Sequence, residues 1–180
     1  MRAALVAVVT LAMGCTSTTA PPARSVASPA VSPPVPPART PLAALEVSRD
    51  LDNAIVGEER SPTVVILLAS WCHRCRDEIA VFDGLRGQHP HVRWLGLNYK
   101  PHEEYDQRGN AAAVRALADE TPWLRIVPAD DALFAAFGSP PKVPTIFVYN
   151  SKGVLVATFD RREREAPREQ ELDDLLRSLE

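Results

Sequence analysis

Cysteine is scarce in this chain: its 180 residues hold three, Cys15, Cys72 and Cys75. A zinc knuckle needs four ligands, commonly two close pairs, and only one close pair exists here. The remaining histidines do not make up the number. His89, His91 and His102 are scattered without a partner at ligand spacing and read as loop residues. Charge of one sign is lacking too. The formal net charge of −3 gives no reason to expect nucleic acid or acidic lipid as a partner. Long hydrophobic runs are missing: the apolar stretch Ala3–Met13 is too short to span a bilayer as a permanent helix. No internal repeat is visible. Apolar residues make up 46% of the chain, which suits one globular domain of ordinary size.

What is present begins with the ends of that short run. Met1-Arg2 supplies a positive charge, Ala3–Met13 an apolar core, and Gly14-Cys15 a stop, the shape of an export signal over residues 1–14. Leu11-Ala12-Met13-Gly14-Cys15 resembles a bacterial lipobox, which implies that Cys15 is lipidated and anchors the chain to a membrane. Ala12 and Met13 depart from the usual pattern, and an ordinary signal cut after Ala20 is the alternative. Residues 15–41 then read as a tether. From Thr16 to Pro41 the chain is almost entirely Ser, Thr, Ala, Val and Pro, with eight prolines, and cannot bury enough surface to fold.

A folded domain is expected over 42–180. Leu42–Val56 is loosely helical in its apolar spacing. Thr63–Ala69 is an apolar, β-branched run that predicts a central strand buried on both faces. Arg76–Arg86 has helical spacing, Val92–Asn98 alternates as a strand, and Asn110 caps a helix to Asp119. A short strand at Leu124–Val127 and a short helix over Asp130–Phe137, ended by Gly138, follow. Thr145–Tyr149 and Val154–Phe159 read as a hairpin, and Arg168–Leu179 as an amphipathic helix. Lys100–Gly109 and Asp160–Glu165 are charge-rich and read as solvated. The pattern predicts an α/β domain, a central mixed β-sheet with helices on both faces.

Chemistry concentrates at Trp71-Cys72-His73-Arg74-Cys75. The pair follows the apolar strand and precedes a helix, so Cys72 sits at a helix N-terminus. Unpaired N–H groups and the helix dipole there favour thiolate, the form that attacks disulfides. A ring closed by Cys75 is so short that it contributes only about 2 kcal/mol of chain-entropy stabilisation, against roughly 5 for a 100-residue loop. The pair is thus a poor staple and a good redox switch, with Cys72 as nucleophile and Cys75 resolving the mixed disulfide. Cys72 has to be accessible and readily ionised for this. His73 and Arg74 modulate the site as cationic neighbours that favour thiolate, while Asp77 and Glu78 oppose them. The bland alternative for His73 is an idle loop residue. Glu78 reads equally as a proton acceptor for Cys75 or as a helix-dipole partner, and Trp71 as a shaper of the pair's surface or as plain core.

Together with Val143-Pro144-Thr145 opening a later strand, these elements resemble the thioredoxin fold across residues 42–180. The resemblance is nearest to the exported, membrane-anchored TlpA/ResA-like thiol-disulfide oxidoreductases. Ile66 replaces the buried aspartate of cytosolic thioredoxins, and Cys75-Arg76-Asp77-Glu78 matches the Cys-x-x-Glu of that subgroup. Arg74 and Ala80 stand where the subgroup usually has proline. The resemblance implies that Pro144 is cis and faces the pair, that Trp71, Val143 and Pro144 meet the substrate, and that Glu78 lies near the active site. It further implies dithiol–disulfide exchange without a cofactor, in the reducing direction. The implied partners are exported protein thiols and disulfides, apocytochrome c among them, and a membrane electron donor or acceptor in the cell envelope or periplasm. Two rival functions stand beside it: a copper(I)-handling chaperone using Cys72, Cys75 and a distant histidine, since soft thiolates suit Cu(I), and a redox-silent binding domain that keeps the fold only as a scaffold.

Overall fold

The computed structural model describes residues 40–160 and 166–179. The expected signal, Cys15 and the tether up to residue 39 lie outside the described residues, as does most of the charged run at 161–165.

Helix α1 (Pro41–Glu46) opens the fold, with Pro at its start and Thr40 Oγ1 accepting from Ala43 N–H as cap. Strand β1 (Thr63–Leu68) follows an irregular stretch closed by the Arg49–Ile55 bridge, so the helix expected over 42–56 is confined to its first third. Next come α2 (His73–Arg86), β2 (Arg93–Tyr99), α3 (Lys100–Glu103), a 3-10 turn (Tyr105–Gln107) and α4 (Ala111–Glu120). Asn110 caps α4 as its sequence position suggests, its Oδ1 accepting from Ala113 N–H. Strand β3 (Arg125–Ala129), helix α5 (Asp131–Ala136), the hairpin β4 (Thr145–Tyr149) and β5 (Leu155–Phe159), and helix α6 (Glu169–Arg177) complete the described chain. The hairpin turns at Asn150, whose Oδ1 accepts from Lys152 and Val154 N–H, and Gly153 takes the positive φ of 72° that the turn requires.

The sheet runs in the order β3-β2-β1-β4-β5. Strands β1, β2 and β3 pair in parallel, and β4 lies antiparallel to both β1 and β5. All six residues of β1 are buried, as a strand covered on both faces must be. Its side chains alternate between two cores. Val64, Ile66 and Leu68 face α2 (Ile79, Phe82, Leu85), α4 (Val114, Leu117) and α6 (Leu172, Leu176). Val65 and Leu67 face α1 (Leu42, Leu45) and α5 (Leu133, Phe134). Pro128 interrupts no interior ladder because β3 is an edge strand.

His89 lies in a loop as read, yet it is buried, and His102 lies in α3 instead of a loop. His89 is 1% exposed, and its Nε2 lies 2.7 Å from Asp173 Oδ1, tying the end of α2 to α6. His102 packs edge-on against Tyr99 and Phe134, which stack on each other with centroids 3.8 Å apart.

Candidate functional site

Strand β1 ends at Leu68, and Ala69–Trp71 carry the chain over its C-terminal edge to Cys72, the N-cap of α2. Cys72 and Cys75 form a disulfide, with Cα atoms 5.2 Å apart. Cys72 Sγ also accepts a hydrogen bond from Cys75 N–H at 3.2 Å, so the sulfur occupies the place a capping oxygen takes in other helices. A backbone donor of the first turn, Cys75 N–H, therefore points at this sulfur, where negative charge develops on reduction. Cys75 is fully buried, and Cys72 keeps 6% of its surface. Cys72 is thus the member that outside reagents reach, though it is far less open than its loop position suggests. His73 and Arg74 are exposed at the start of α2.

Glu78 follows Cys75 by three residues, which places both on one side of α2. The carboxyl is half-buried, and its Oε2 is shut off from solvent without a hydrogen-bond partner. Burial, reinforced by the neighbouring Asp77 charge, pushes its pKa up to about 7. A carboxyl so tuned exchanges protons at neutral pH, and because α2 starts at His73, Glu78 lies beyond its first turn, where the helix-dipole role expected as the alternative falls away.

The peptide between Val143 and Pro144 is cis. Thr145, the next residue, pairs with Leu67 across the β1–β4 ladder, so Val143 and Pro144 sit beside the end of β1 from which the Cys72 loop departs. Val143 packs against both cores, including the one that holds the two cysteines.

Sequence reasoning missed the other wall of this site. Lys100–Gly109, expected as a solvated loop, instead forms α3 and the 3-10 turn, and it sends Glu103 inward to 2% exposure. Its Oε2 accepts from Ser70 N–H (2.8 Å) and Asn98 Nδ2 (2.9 Å), and its Oε1 accepts from Ser70 Oγ. Asn98 Nδ2 also donates to Leu68 O at 3.2 Å, which fixes the amide's orientation. Trp71 Nε1 donates to Glu103 O (2.8 Å) and His102 O (3.2 Å), and the Arg108 guanidinium lies 5.2 Å from the centre of the Trp71 ring. Hydrogen bonds to a carboxylate contribute about 1.5–3 kcal/mol each, and deleting the acceptor orphans the buried donors. No periodicity marks a buried glutamate inside a charge-rich segment. Pro101 at a helix start was the one local signal of order there.

Among the described residues, no group of three or more His, Cys, Asp or Glu side chains is placed to hold a metal ion. Among them too, no helix is long and apolar enough to cross a membrane.

No protein-family model and no curated protein matches the sequence. Solved structures do match. A secreted Mycobacterium tuberculosis disulfide oxidoreductase homologous to E. coli DsbE is 17% identical, over 73% of this chain and 94% of that one, with a TM-score of 0.58. M. tuberculosis dsbF, solved in mixed oxidised and reduced forms, is 20% identical over 76% and 96% of the two chains, with a TM-score of 0.59. StoA from Bacillus subtilis is 18% identical over 71% and 92%, with a TM-score of 0.54. Likeness at this level of identity speaks to architecture. The mixed five-stranded sheet, the helices on both faces and the cysteine pair at disulfide distance after β1 make this chain a thioredoxin-like fold.

Proposed function

We propose that the chain is an exported, lipid-anchored thiol-disulfide oxidoreductase that works as a reductase. One observation carries the reading: the Cys72–Cys75 disulfide caps the N-terminus of α2, with the Cys75 N–H aimed at Cys72 Sγ. In the reduced protein the Cys72 thiolate attacks a substrate disulfide. A mixed disulfide forms and one substrate sulfur leaves as thiolate. Cys75, giving its proton to Glu78, then attacks Cys72 Sγ and releases the second substrate thiolate. Two electrons pass to the substrate, whose two thiolates take up one proton from Glu78 and one from solvent, and the protein is left as the disulfide. No cofactor takes part.

Val143, ahead of Pro144 at the sheet end, offers backbone groups to an extended substrate segment, and Trp71 forms the opposite lip. His73 and Arg74 favour the Cys72 thiolate through their charge. The substrates are exported proteins, apocytochrome c cysteines among them as the family resemblance implies. In an oxidising compartment the reductase is recharged by a membrane electron donor. Support for export is the Met1–Cys15 segment, together with the secreted character of the M. tuberculosis relative in fold.

The test is insulin reduction by the purified full chain with dithiothreitol as electron source. Turnover above the dithiothreitol background is expected for the natural chain and none for Cys72→Ser. Serine is itself a good N-cap, so this variant keeps α2 and controls for folding. Equal rates from the two proteins refute the reading.

A further inference from the structure

The short segment after β2 has no part in the exchange chemistry just described, yet it grips the residues that lead into Cys72. Glu103 reaches from the end of α3 to the main chain and hydroxyl of Ser70, two residues before the nucleophile. The same residue's carbonyl takes the indole N–H of Trp71, one residue before it. Both Ser70 and Glu103 are nine-tenths or more buried, at 6% and 2% exposure. The anchor is itself anchored, since Asn98 ties Glu103 Oε2 to the last carbonyl of β1. Gly109 closes the back: a Cβ there would overlap Glu103 Oε1 and come within 2.9 Å of Trp71 Cδ1. Arg108 covers the outer face of the Trp71 ring.

Two consecutive residues before Cys72 are thereby held by one residue from a different element. Backbone freedom in Ser70–Trp71 translates directly into displacement of Cys72 Sγ from the Cys75 N–H in the first turn of α2. A displacement on the order of 1 Å in a reacting group lowers rates by about 100-fold.

We infer that Glu103 is a positioning residue for the redox pair, clamping the Ser70–Trp71 turn so that Cys72 Sγ stays aligned with the Cys75 N–H at the start of α2. This rests on the dithiol–disulfide reading of the site. The clamp acts by hydrogen-bond geometry. A glutamine fits it, because its carbonyl oxygen serves Ser70 N–H and Asn98 Nδ2 while its amide donates to a reoriented Ser70 hydroxyl.

Three variants of the full chain test the clamp: Glu103→Ala, Glu103→Gln and Ser70→Ala. Two quantities are read on each: insulin turnover, and the pH midpoint of iodoacetamide labelling at Cys72 in the reduced protein, followed on the peptide that carries it. Glu103→Ala is expected to lose about tenfold or more in turnover and to label with a higher pH midpoint, since the thiolate loses its aligned donor. Glu103→Gln is expected to recover most of the turnover and return the midpoint toward that of the natural chain. Ser70→Ala, which removes one clamp donor and keeps the glutamate, falls between them and serves where Glu103→Ala does not fold. A residue that only stabilises the fold changes the melting temperature and leaves the midpoint in place. An unmoved midpoint in Glu103→Ala, or in Ser70→Ala where the former does not fold, overturns the inference. So does a glutamine variant as impaired as the alanine one. Failure of the functional reading itself looks different: the natural chain is then no more active than Cys72→Ser, whatever stands at residue 103.

Discussion

At the residue scale the site separates three jobs that one short motif suggests to a reader of the sequence. In the proposed reaction Cys72 and Cys75 carry the electrons and Glu78 the proton, while Glu103 holds the turn that leads into the pair. Glu78 gives the clearest pH signature. Its pKa stands raised to about 7 from an ordinary 4.5, chiefly by burial. A carboxyl raised on folding binds its proton more tightly in the folded than in the unfolded chain. The stability it favours is therefore fully present below about pH 4.5 and is lost as pH rises through about 7. Glu78→Gln should flatten that decline in urea titrations run between pH 5 and 8. The same substitution should remove an ionisation near pH 7 from the pH–rate profile of insulin reduction. A profile identical to that of the natural chain would take the proton from Glu78 and leave it as a half-buried carboxyl on the side of α2. Gly109 gives a steric signature: Gly109→Ala forces Glu103 and Trp71 apart and is expected to cost about 1–3 kcal/mol in urea unfolding, as overpacking does.

At the element scale the architecture was legible because apolar pattern determines it. The run at β1 is buried on both faces, the alternation in β2 finds a covered sheet, and Leu172 and Leu176 put α6 against the core of α2 and α4. Leu172→Ala should accordingly cost about 2–5 kcal/mol, read as a lower urea midpoint with an unchanged slope. The cysteine pair was legible for a related reason: its position between a strand and a helix is itself a pattern. The segment from Lys100 to Gln107 was not. Lys-Pro-His-Glu-Glu has the composition of a solvated face, and only tertiary contacts show that Glu103 turns inward while Glu104 and Lys100 pair outside at 3.7 Å. His89 hid in the same way, since its partner Asp173 lies far along the chain, on α6. Polar residues buried by long-range hydrogen bonds leave no local trace, whereas apolar ones repeat with the period of their element.

At the scale of the whole molecule, sheet topology gathers the site. The parallel β1–β2 pair brings the segment after β2 to the C-terminal edge of β1, and the antiparallel β4 brings the segment before it to that same edge. Ser70–Cys75, Glu103 and Val143–Pro144, distant in sequence, meet there because of strand order alone. The redox couple is in turn linked to the stability of everything around it. By a thermodynamic cycle, the difference in unfolding free energy between oxidised and reduced protein equals the difference in potential of the couple between folded and unfolded chain. About 30 mV corresponds to about 1.4 kcal/mol. The direction of electron flow therefore has a sign that unfolding can measure. A reductase keeps a stable disulfide, so its oxidised form is the more stable; an oxidant such as DsbA has the more stable reduced form. The four-residue ring contributes only about 2 kcal/mol through chain entropy, which makes that the expected scale of the effect. Paired urea titrations of the full chain, with and without dithiothreitol, should place the oxidised midpoint above the reduced one by an amount of that order. A reduced form that outlasts the oxidised one would reverse the electron flow proposed here, while leaving Cys72 as the nucleophile and Glu103 as the residue that aims it.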